Sequence, residues 1–143
     1  MPDTAKTTEP AKRDGANPTY EEIDESIPEE FHFHLYFDTG SGPDTRESAL
    51  AIRKRLLEEA DFRYQLPPVR ERPMGPHQWP IWSVWVDRAD FGKATWWMAS
   101  NHGPHSVLVH PNIDDGYKDH TERAMWLGEP RPLKLRVFDD HPA

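Results

Sequence analysis

The sequence predicts an α+β fold, and three observations carry that prediction. Apolar residues alternate with polar ones in separate short runs, two segments between those runs carry apolar residues at helical spacing, and a proline-broken stretch follows the first of these helices. The resulting order is strand, helix, weak strand, strand, helix, strand. This βαββαβ pattern is that of a ferredoxin-like sandwich, an antiparallel sheet with both helices on one face.

Each element has its own signature. Residues 31–37, FHFHLYF, place Phe31, Phe33, Leu35 and Phe37 on one side of a strand and His32, His34 and Tyr36 on the other. Gly40, Gly42 and Pro43 end it, and Asp44, with Glu47 three residues on, is expected to cap a helix over 45–59 whose stripe is Ala49, Ile52, Leu56, Leu57 and Ala60. In 62–72, Tyr64, Leu66 and Val69 are interrupted by Pro67 and Pro68, which suits an edge strand or an extended connection because proline cannot donate to a ladder. A strand over 79–86 should turn Trp82, Val84 and Val86 to the core, with His77, Trp79, Ile81 and Ser83 in the opposite phase.

Asp87 is then placed to cap a second helix bearing Phe91, Ala94, Thr95 and Met98, which ends near Asn101, His102 and Gly103. A strand over 106–110 follows. Residues 111–128 read as an acidic loop with a short helix around 120–125, and Leu133, Leu135 and Val137 alternate as in a terminal strand.

Composition bounds the organisation and the partners. A chain of 143 residues suffices for one core but hardly two. Residues 1–29 hold only isolated apolar side chains such as Tyr20, Ile23 and Ile27, too few to offset the entropy of ordering, so a flexible tail is expected before one domain over 30–143. The net charge of −8 argues against nucleic acid, which needs a concentrated basic surface, and favours small-molecule partners. The absence of cysteine excludes disulfides, thiolate ligands and a cysteine nucleophile. No run approaches the roughly 18 apolar residues that span a bilayer, and no secretory apolar core is visible. The expectation is a cytoplasmic protein that makes no membrane contact.

The histidines concentrate on the strands. If the first and third strands of the pattern lie parallel at the sheet centre, with the fourth antiparallel beside the first, then His32, His34, His77 and His110 meet at one sheet edge. Their parity puts them on the face that the helices leave uncovered. Neutral imidazole suits iron and zinc, and alternate strand residues stand about 6.5–7 Å apart, so an H-x-H pair can reach one ion. A lone H-x-H is more often structural; three converging segments shift the balance to a site. His102, His105 and His141 read as structural or surface residues. Among six tryptophans, only Trp79 has the parity to face the site. Arg70 and Arg72 could hold a substrate carboxylate. Asp114, Asp115 or Asp119 could complete a triad of two histidines and a carboxylate, although a third histidine fills that place more economically.

Four segments carry a family likeness: FHFHLYFD at 31–38, RPMGPHQWPIW at 72–82, LVHPNIDDGYKDH at 108–120 and AMWLG at 124–128. Together, over residues 31 to about 137, they resemble the DOPA 4,5-dioxygenase family. One departure is visible: Ile113 and Asp114 stand where the family usually has threonine and glycine, which bears on loop shape and substrate choice.

The resemblance implies a ferredoxin-like fold, a homodimer, and extradiol cleavage of a catechol such as L-DOPA by O2 to a seco product that can cyclise. On that footing Fe(II), with zinc as a possible substitute, would be held by His34, His77 and His110, with His32 as an alternative or additional ligand. His120, by its motif position, would be the proton donor, with His32 second in line. Tyr36, Trp79 and Arg72 would contact the substrate. Two rival readings use the same residues: a zinc-dependent hydrolase or lyase, and a non-catalytic dimeric ligand-binding module.

Overall fold

The structure is a computed structural model and describes residues 25–138. Most of the expected tail, and His141, lie outside the described residues. Immediately before the first strand, Ile27 packs against the core, and its carbonyl accepts a hydrogen bond from Arg88 at 2.9 Å.

Strand β1 (Glu30–Tyr36) is central. It pairs antiparallel with β2 (Ile81–Asp87) on one side and with β3 (Val107–Pro111) on the other, and a short β4 (Met125–Leu127) extends the sheet to the order β2-β1-β3-β4. The 62–72 segment runs along the outer edge of β2 and touches it at two isolated bridges, Gln65 with Trp85 and Arg70 with Ile81. Pro67 and Pro68 lie between those bridges and supply no N–H, which keeps the weak strand from becoming a ladder. The antiparallel α+β architecture expected of the βαββαβ pattern is thus present.

One expectation about the sheet is overturned. The first and third strands of the pattern are antiparallel: Glu30 faces Asp87 and Tyr36 faces Ile81. The cause is the connection. Helix α1 (Arg46–Glu59) carries the chain back, so that 62–72 runs in the direction of β1, and β2 folds back against 62–72 and therefore against β1 as well.

The strand parity holds. Phe33, Leu35, Val84 and Val107 are fully buried beneath α1 and α2 (Phe91–Asn101), where Ala49, Leu56, Ala94 and Met98 meet them. Each such side chain removed from water stabilises the fold by about 1.5–3 kcal/mol. The Trp82 indole N–H, on the same face, donates to the Ala49 carbonyl at 2.8 Å and so is satisfied despite its burial.

Several local details differ from expectation. Thr45, not Asp44, caps α1 by accepting from the Ser48 N–H, while the buried Asp44 carboxylate turns back to Thr39. Leu57 is 55% exposed and lies off the stripe. Asp87 caps a 3-10 turn (Arg88–Asp90) that leads into α2. The short helix, α3, is Gly116–Asp119 rather than 120–125, because Asp115 supplies its cap by accepting from the Lys118 N–H. Residues 133–137 form no strand. Pro130 and Pro132 cannot donate, the Lys134 N–H goes to the Pro76 carbonyl at 2.7 Å, and Leu135–Val137 close into a 3-10 turn.

Candidate metal centre

The sheet face away from the helices is lined by alternate residues: His34 and Tyr36 from β1, Ile81 and Ser83 from β2, Leu108 and His110 from β3. In the register His32 faces His110, while His34 faces Ser83 and Leu108, so the His34 and His110 rings meet diagonally. Their Nε2 atoms are 3.0 Å apart. Two further imidazoles come from loops. His77, which lies before β2 and not on it, is brought in by the 73–80 loop and lies 4.6 Å from His34, centroid to centroid, tilted by 55°. His120, at the end of α3, lies 4.1 Å from His110 and 5.9 Å from His77. The convergence expected from parallel strands is real, but it is produced by loops folding back over an antiparallel sheet.

Five histidines therefore form two compact groups that share His34: His32, His34 and His110, and His34, His77 and His120. Within each group one candidate ligand atom per residue lies within 4.8 Å of the others. The structure pairs His77 with His120, where the sequence reading had paired it with His110. No carboxylate belongs to either group among the described residues. Asp119 is buried and committed to the Ile113 N–H and Arg123, Asp115 caps α3, and Asp114 is exposed beside Arg123.

Most of the rings are held by an outer partner on one nitrogen. His110 Nδ1–H donates to the Pro111 carbonyl and His120 Nδ1–H to the Gly116 carbonyl, both at 2.7 Å. A carbonyl only accepts, so these tautomers are fixed and each neutral ring keeps a bare Nε2 lone pair. His34 Nδ1 meets the Ser83 hydroxyl at 2.7 Å, and His77 Nδ1 meets the Tyr36 hydroxyl at 2.5 Å. A hydroxyl can accept or donate, so these two rings can carry the proton on Nδ1 and turn Nε2 into a ligand. His32 differs: it stacks on Trp85 and pairs through Nε2 with the Glu30 carboxylate at 2.8 Å.

Burial favours the neutral form of His34, His77, His110 and His120. Desolvation, with neighbouring imidazoles adding to it, lowers His34 well below the ordinary histidine range, His77 to about 4 and His110 to about 3. His120 is also lowered by burial, against the opposing pull of the Gly116 carbonyl and Asp119. Burial raises the Tyr36 phenol, so it stays protonated. Neutral, oriented, buried imidazoles with outer-shell partners are the donor set that a divalent transition metal requires, and the residues fit such an ion.

Among the other sequence candidates, Tyr36 is fully buried and Trp79 lies beside it with ring centroids 6.2 Å apart. Trp126, on β4 beyond β3, stacks on Tyr36 at 5.9 Å and 21°. Sequence parity missed Trp126 because β4 was not anticipated, although its AMWLG segment stood out. Arg72 is exposed and makes no hydrogen bond or ion pair among the described residues, so it is not brought to the histidines. His105 is structural as expected, bridging the Ser48 hydroxyl and the Tyr36 carbonyl.

Fold and site together define a class: a ferredoxin-like α+β protein with a buried, all-imidazole centre on the helix-free face of its sheet. Comparison with known proteins takes the assignment further. Residues 31–137 match the Dopa 4,5-dioxygenase family, and the chain belongs to that family. It is 33% identical over 110 residues to DOPA 4,5-dioxygenase from Amanita muscaria, covering 74% of this chain and 48% of that one. An uncharacterised 21.2 kDa protein from Botryotinia fuckeliana is 34% identical over 128 residues, covering 82% of this chain and 67% of the other. The chain thus spans about half to two thirds of the length of these curated relatives. A crystal structure of a candidate dioxygenase from Nostoc punctiforme superposes with a TM-score of 0.70 at 30% identity, covering 82% of this chain and 95% of that one.

Proposed function

We propose that this protein is an Fe(II)-dependent extradiol dioxygenase that opens a catechol ring with O2, with L-DOPA or a related catechol as substrate. The observation that carries the reading is the group formed by His34, His77 and His120, in which every Nδ1 has an acceptor available, so that each ring can present Nε2 as a ligand. These three residues hold the ion. This departs from the expected set of His34, His77 and His110, and from the expected role of His120. With its Nδ1 proton held by the Gly116 carbonyl, neutral His120 offers a lone pair, which suits a ligand and not a proton donor.

The remaining residues take complementary roles. Tyr36, Trp79 and Trp126 form an aromatic wall beside His77 against which a catechol ring can pack. His110, with a bare Nε2 next to His34, accepts the phenolic proton. His32, backed by the Glu30 carboxylate, returns a proton to the product. Bound Fe(II) would supply Lewis acidity toward the catechol oxygens and the electrons that activate O2. Burial of the cluster limits water around the reacting groups.

The test is oxygen uptake by anaerobically Fe(II)-loaded protein with L-DOPA and simpler catechols, against a zinc-loaded control. A ring-opened product from the iron form alone, with His34→Ala lowering iron affinity and turnover by at least about 100-fold, is the expected result. Equal turnover by the zinc form, or an unimpaired His34→Ala protein, would refute the reading.

A further inference from the structure

The segment after β4 crosses the site. It is pinned by backbone to the His77 loop, since the Lys134 N–H bonds the Pro76 carbonyl and the Pro132 carbonyl accepts from the Gln78 side chain at 2.9 Å. Beyond Lys134 the attachment is through side chains. Val137 seats against Gly75, where an added Cβ would come within 2.4 Å of the valine methyl. Phe138 seats against Gly116, where an added Cβ would come within 2.7 Å of the ring. The same ring lies 5.3 Å from His120 at 35° and meets Tyr117 edge-on at 6.2 Å.

The two glycines that receive these side chains belong to the two segments that deliver imidazoles: Gly75 in the loop two residues before His77, Gly116 at the start of α3, four before His120. Yet the segment itself is weakly held. None of Leu135, Arg136 and Val137 is buried, and the Phe138 N–H bonds only back to the Leu135 carbonyl. An element with few buried apolar contacts and a local hydrogen bond opens at low free-energy cost.

We infer that residues 135–138 form a strap over the His77 and His120 side of the centre, and that Phe138 is a specificity-determining residue whose ring forms the outer wall against which an aromatic substrate lies. This inference rests on the proposed function only for the nature of that substrate. A planar ring entering beside His120 meets the Phe138 face, so planar aromatic ligands are retained and the wall withdraws to admit them. The notch at Gly116 sets where that wall stands.

The test uses the full chain and two readouts. In the protein as isolated, carbethoxylation of His120, measured by mass spectrometry with His102 as internal reference, should be about fivefold faster in Phe138→Ala and near the parent rate in Phe138→Tyr, which keeps the ring. In the Fe(II)-loaded enzyme, Phe138→Ala should raise KM for the catechol about fivefold with kcat within about twofold, an effect of the size of one aromatic contact. Gly116→Ala, which keeps Phe138 but displaces it, should move both readouts in the same direction. An unchanged His120 rate in Phe138→Ala would overturn the strap; a faster rate with unchanged KM would overturn the wall. If the parent protein turns over no catechol, the dioxygenase reading falls, while the His120 rate still decides whether Phe138 covers the site.

Discussion

The two faces of the central sheet come from the same three strands and differ only in parity. On the helix side stand Phe33, Leu35, Val84 and Val109; one residue along stand His34, Tyr36, Ser83 and His110. Both faces are buried, but by different means. The first is covered by α1 and α2, chiefly through apolar contact, the second by the segments around 73–80 and 112–138, with its imidazoles held by polar groups of the strands and by the Gly116 carbonyl. The lesson is that burial on one face supplies stability, and on the other it is used to keep titratable groups neutral and aimed.

The comparison can be broken from the helix side first. Phe33→Ala should destabilise the fold by about 3–5 kcal/mol in chemical denaturation, because it opens a cavity under the helices. Iron affinity of the protein that remains folded should be nearly unchanged. A large loss of affinity would mean that the two faces are not separable.

A pH titration probes the other face. His77 and His110 titrate lower in the folded chain than in the unfolded one, so between about pH 6.5 and their folded values the unfolded state binds more protons. Stability of the metal-free protein should therefore be fully present above about pH 6.5 and fall as pH drops toward 4. Each histidine held neutral adds a slope of up to about 1.4 kcal/mol per pH unit. Replacing His110 with Gln should flatten that slope; an identical slope would show that the acid sensitivity arises elsewhere.

The finest cut is at Ser83. Ser83→Ala removes the partner of His34 Nδ1 without touching a proposed ligand and, if the centre holds iron as proposed, should weaken its binding by about 10-fold, with Ser83→Thr largely retaining it. Equal affinities in all three proteins would remove Ser83 from the outer shell.

Much of this was legible in the sequence. FHFHLYF shows its two faces directly, because alternation leaves no freedom once one face is apolar. The strap and the pairing of His77 with His120 were not legible, since both depend on where loops fall, and a loop's path is set by tertiary partners such as the Pro76 carbonyl that no local pattern encodes. The sequence also suggested parallel central strands; the direction of β2 follows from its bridges to Gln65 and Arg70, contacts made by a segment too proline-rich to declare its course. Arg72 belonged to a matching motif, yet its side chain stays in solvent.

Among the described residues no carboxylate joins the histidine groups, and that governs what can enter. An all-imidazole ligand set brings no charge of its own, so a dication bound there would keep its full double positive charge inside a poorly solvated cluster. Such a centre discriminates by charge before it discriminates by shape. Neutral phenols gain little from it, whereas a chelating ligand able to shed two protons would complete its electroneutrality.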